Sequence, residues 1–117
     1  MKPDFFVEGV DVVIRRDLDK HRSLLETSKL SLDSFKTSVA HEIQKKKRYL
    51  SLINEGQYDE ASMRASIVDI NINIRHLSDK VKLAKEEIAH HTLIVDTLTE
   101  QLADYEKNFR DFYAVST

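Results

Sequence analysis

The helix breakers of this chain are two glycines and one proline, and they stand at Pro3, Gly9 and Gly56. From Val10 to Glu55, and again from Gln57 to Thr117, neither residue type interrupts the sequence, over stretches of roughly 45 and 60 residues. An ordinary globular helix ends after about 11–12 residues. A chain with no punctuation over several times that length is suited to long coiled-coil helices and poorly suited to a many-element globule.

The apolar pattern agrees. In the second half Met63, Ile67, Ile70, Ile74, Leu77, Val81, Ala84, Ile88, His91, Val95, Leu98, Leu102, Tyr105, Phe109 and Phe112 alternate spacings of three and four for more than six heptads. That is the seam of a helix packed along its length against a partner. One local pattern competes: in Ser66–Ile74, written SIVDININI, Ile70, Ile72 and Ile74 alternate as in a strand. A lone strand without a pairing partner is unstable in water, so the heptad reading prevails. In the first half Ile14, Leu18, His21, Leu25, Ser28, Leu32, Phe35 and Val39 follow the same rule. The aliphatic residues then suggest a slip, with Ile43, Leu50 and Ile53 continuing the seam after one extra step of four, as a stutter would.

The two halves meet at NEGQYDEAS. Gly56 can take the left-handed conformation that closes a helix, and Asp59 can cap the next one. Asp11 is the candidate cap of the first helix. The expected fold is therefore all-α: an antiparallel helical hairpin of two long coiled-coil helices, one domain over 1–117. Helix 1 is expected at about 11–55, the turn at 56–58 and helix 2 at about 59–114. Asp33 and Ser78 are the places where an internal cap could break either helix. Folding about Gly56 brings His21 near His91, and Phe5 and Phe6 near Phe109, Phe112 and Tyr113.

Several function classes lose support on composition. Charged residues make up 32% of the chain but the net charge is only −2, which disfavours a general polyanion binder. Cysteine is absent, which removes disulfides and thiolate metal sites. The N-terminal MKPDFFVEGVDVV carries acids inside its apolar run and does not read as a signal peptide. No run of about eighteen apolar residues occurs, so no membrane span is expected. The expectation is a soluble, cytoplasmic chain.

The stretch Glu86–Val95, EEIAHHTLIV, raises the question of a metal. Glu87 and His90 form an E-x-x-H pair, but di-metal bundles use that pair twice with two further carboxylates. Only His91 lies on the seam; Glu87 and His90 do not. The expected role of His91 is a polar member of the core, in a layer with His21 and Ser28 that fixes register. No metal, cofactor or catalytic residue is assigned. Gly-rich phosphate loops and Ser-His-Asp arrangements are also missing, so the chain reads as non-enzymatic.

Two surface features remain. Val68, Ile72, Leu83 and Ile94 lie off the seam, and the elevenfold spacing of Ile72, Leu83 and Ile94 returns to nearly one side of the helix. Leu93, Leu24 and Val13 behave similarly. A helix that is apolar on two faces has neighbours on both, which points to a protein partner or to homo-oligomerisation into a bundle, with Val68, Ile72, Leu83 and Ile94 as the interface. The basic run Lys45, Lys46, Lys47 and Arg48, with Tyr49 beside it, offers nucleic-acid contact as a second reading, set against a solvated helix face.

The expected function is a non-enzymatic coiled-coil interaction module, acting as a structural, adaptor or chaperone component of a larger assembly. The alternatives are nucleic-acid association through 45–48 and a metal-binding bundle around His90 and His91. The architecture resembles WXG-type secretion substrates, export chaperones of secretion systems and hairpin factors that probe RNA polymerase. The first group needs a Trp at its turn, which is absent here, and the others share only length or an acidic turn. No family is assigned.

Overall fold

The structure, a computed structural model, describes residues 9–56 and 59–116, with side chains through 111. Two helices account for nearly all of it: α1, Val10–Glu55, and α2, Glu60–Ser116. The chain is an all-α helical hairpin, and no strand occurs among the described residues. Residues 66–74 are helical despite their local alternation. Neither helix breaks at Asp33 or Ser78. Asp33 sits in mid-helix, and its carbonyl accepts a hydrogen bond from the Thr37 hydroxyl at 2.9 Å. Thr27, Thr97 and Thr99 bond back to the carbonyls of Ser23, Leu93 and Val95 in the same way. This is how hydroxyl residues are accommodated inside a helix without ending it.

The turn is built from the residues expected to build it. Gly56 has φ +67° and its amide donates to the Ile53 carbonyl at 3.1 Å. Asp59 caps α2: its Oδ1 accepts from the Ala61 amide at 3.1 Å and its Oδ2 from the Ser62 hydroxyl at 2.9 Å. Glu60 then pairs with Arg64 one turn on. At the start of α1 the expectation needs correction. Asp11 lies within the first turn of the helix and does not cap it. Gly9, with φ +100°, precedes the helix, and its carbonyl takes the first helical bond from Val13 at 2.9 Å. A carboxylate inside the first turn still faces the positive end of the helix dipole, so Asp11 remains favourable there.

The chain divides into two compact units. The turn unit, Ser28–Glu86, contains the reversal at Gly56. In it Lys80 Nζ lies 5.7 Å from the centre of the Phe35 ring, joining α2 to α1. The terminal unit combines Met1–Thr27 with Glu87–Thr117. There Arg15 on α1 pairs with Glu106 on α2, and Tyr105 stacks with Phe109 at 6.1 Å. The expected meeting of Phe5 and Phe6 with Phe112 and Tyr113 lies outside the described residues.

Burial follows the heptad. Each α2 seam residue from Met63 to Phe109 is buried or half-buried, and so is each α1 seam residue from Ile14 to Val39. Beyond Val39 the stutter is absent. Ile43 and Leu50 are exposed, whereas Glu42, Lys46, Tyr49 and Ile53 are half-buried, which continues the three-four alternation unbroken. The reason is geometric. α2 keeps a strict heptad, and a stutter in α1 alone would put the two helices out of phase. The aliphatic stems of Glu42 and Lys46 serve as seam residues while two isoleucine- and leucine-sized side chains go to solvent.

Candidate functional site

Three groups of residues bear on function, and the first is the polar part of the seam. In the terminal unit His21 and His91 face each other with their Nδ1 atoms 3.1 Å apart, ring centroids 5.3 Å apart and planes tilted by 40°. Both rings are half-buried. They meet because each occupies a seam position of its own helix, and the antiparallel turn brings together residues 70 apart in sequence. His90 touches the His91 ring edge-on at 5.3 Å but is itself exposed, as is Glu87. Among the described residues no group of three or more His, Asp or Glu converges as metal ligands. Ser28 is buried, at 6% exposure, in the turn unit.

A second polar interruption, which counting apolar residues missed, lies in the turn unit. Glu42 is directed into the seam. Its Oε1 takes Lys45 Nζ at 3.3 Å, while its buried Oε2 has no hydrogen-bond partner. The signal for it was present: three residues after Val39 is the next seam position, whatever occupies it. The members of the basic run differ in exposure. Lys45 and Lys46 are half-buried, and Lys45 is engaged by Glu42. Only Lys47 and Arg48 are fully at the surface. Lys45, Arg48, Tyr49 and Leu52 line an open cleft of about 310 Å³.

The third group is aliphatic and exposed. In the turn unit Val68, Ile72 and Leu83 on α2 are 57%, 48% and 55% exposed, and Leu30 on α1 is 63% exposed. In the terminal unit Leu93 is 67% exposed, while its neighbour Ile94 is half-buried at the edge of the seam. Val12, Val13 and Leu24 add exposed apolar area on α1. Leu30 and Val12 escaped the sequence reading because neither belongs to a periodic series. Val68 and Ile72 lie one turn apart on one face, and Leu83 follows roughly 16 Å further along the helix. None of the described helices is long and apolar enough to cross a membrane. Comparison of the chain with protein-family models, with curated proteins and with solved structures finds no match.

Proposed function

We propose that the chain is a non-enzymatic coiled-coil interaction module, a structural, adaptor or chaperone component of a larger assembly in the cytoplasm. Its first partner in this reading is a second copy of itself. One observation carries the proposal: the hairpin encloses very little. Among the described residues only Leu18, Ile70, Ala84 and Ser28 are buried, and no side chain is fully enclosed, while Val68, Ile72 and Leu83 stand in solvent. Two helices have one shared seam and cannot cover a second apolar face, and a bundle of more helices can. Charged residues flanking that face select the partner and suppress the wrong ones.

The test is a double substitution, Ile72→Lys with Leu83→Lys. Both positions are exposed in the isolated chain, so the fold tolerates the change. A charge buried in an apolar interface should weaken self-association by at least about tenfold per site. If the double variant associates as the native chain does and retains its pull-down partners, the face is not an interface. The nucleic-acid reading rests on Lys47 and Arg48 as the surface part of the run. Salt-dependent binding of single-stranded nucleic acid, lost on Lys47→Ala with Arg48→Ala, would be needed to favour it.

A further inference from the structure

We propose that His21 and His91 form a binding site for one divalent transition-metal ion, of the zinc, nickel or copper type, which staples α1 to α2 in the terminal unit. The inference is independent of any partner. It starts from the separation of the two Nδ1 atoms, 3.1 Å. Two imidazole nitrogens each about 2.0–2.1 Å from one zinc ion, at angles between a right angle and the tetrahedral one, lie about 2.9–3.3 Å apart. The pair already has the spacing of a chelate. On α2, His91 is the one His, Asp or Glu at a seam position between Met63 and Phe109. The hairpin supplies its second ligand from the other helix, and the E-x-x-H pattern plays no part.

Without metal the same atoms share one hydrogen: one Nδ1–H donates to the lone pair of the other. Chelation replaces that hydrogen bond. The donor ring moves its proton from Nδ1 to Nε2, the acceptor ring already carries its proton there, both Nδ1 lone pairs turn onto the ion, and the ion gives up two of its waters. Because no third protein ligand converges among the described residues, water completes the coordination, and the site is weaker than a four-ligand structural one. Imidazole selects the ion. Zinc, nickel and copper accept nitrogen ligands, with copper held tightest, whereas magnesium and calcium prefer oxygen and should not bind here. An ion held by the folded pair and not by the unfolded chain raises stability, and the gain grows with the logarithm of its free concentration over Kd.

The experiment is calorimetric titration of the full chain with zinc chloride near neutral pH, paired with thermal melting followed by circular dichroism. The expected result is one zinc per chain, a melting temperature that rises with zinc and not with magnesium, and loss of at least about 10-fold in affinity for His21→Ala and for His91→Ala, since even an outer-sphere partner of a ligand is worth that much. The His41→Ala, His76→Ala and His90→Ala variants should bind as the native chain does. If either seam variant loses helicity, imidazole resonances of the native chain decide the matter: zinc should shift those of His21 and His91 and leave those of His41 and His76 in place. No heat and no melting shift, half an ion per chain, or binding that follows His90 instead of the seam pair would each overturn the assignment.

Discussion

Gly56 makes the reversal possible through its backbone alone. Its φ is +67°, and a Cβ placed there would meet nothing within 4 Å. Steric crowding is therefore not the penalty for a side chain; the left-handed conformation is. Gly56→Ala should cost about 1–2 kcal/mol by thermal or urea unfolding, and Gly56→Asn should cost less because asparagine tolerates that region. Asp59→Ala removes the acceptor for Ala61 and Ser62 and should cost about 1 kcal/mol. Glu42 acts in the opposite direction. A half-buried carboxylate with one oxygen unpartnered contributes less than an aliphatic side chain would at the same seam position. Glu42→Leu should stabilise the hairpin by about 1 kcal/mol, because apolar replacement of a poorly satisfied buried charge is neutral or favourable. A lower melting temperature for that variant would mean that the Lys45 pairing outweighs the burial.

At the scale of the elements, a rule of spacing decides more than a rule of residue type. The α2 seam was legible because fourteen described positions from Met63 to Phe109 obey one alternation, with His91 as the polar member. The turn was legible because Gly56 and Asp59 are the residue types that a left-handed closure and a cap require. The end of α1 was not. There Ile43 and Leu50 attract the eye as hydrophobic residues, yet the seam passes through Glu42 and Lys46, whose stems do the packing. The cap of α1 was misread for a related reason: an acid suits both the cap and the first turn, and only the position of the first helical bond, from Val13 to Gly9, distinguishes them. The meeting of His21 and His91 could be located by folding the sequence about Gly56. The distance between their Nδ1 atoms could not, since it depends on ring orientation. Ring orientation is a matter of side-chain packing, which spacing does not encode.

At the scale of the whole molecule, the balance of buried and exposed apolar residues defines the problem the chain has to solve. Among the described residues the heptad positions of both helices are spent on each other, and Val68, Ile72, Leu83 and Leu93 on α2 are left exposed. Charged side chains between them, Arg75, Asp79 and Lys80 among them, are all exposed, so a partner would be held at a few aliphatic anchors and oriented by the charges around them. A second copy meets that description without requiring any other molecule, and an isologous pairing would use the same face of each chain.

The measurement that bears most directly on this account is the mass in solution, by light scattering after size exclusion at two concentrations, for the native chain and for Ile72→Lys with Leu83→Lys. The native chain should run at twice its 13.6 kDa or more at the higher concentration, and the double variant should fall back to 13.6 kDa. A native chain that remains at 13.6 kDa at both concentrations, indistinguishable from the variant, would contradict self-association through this face.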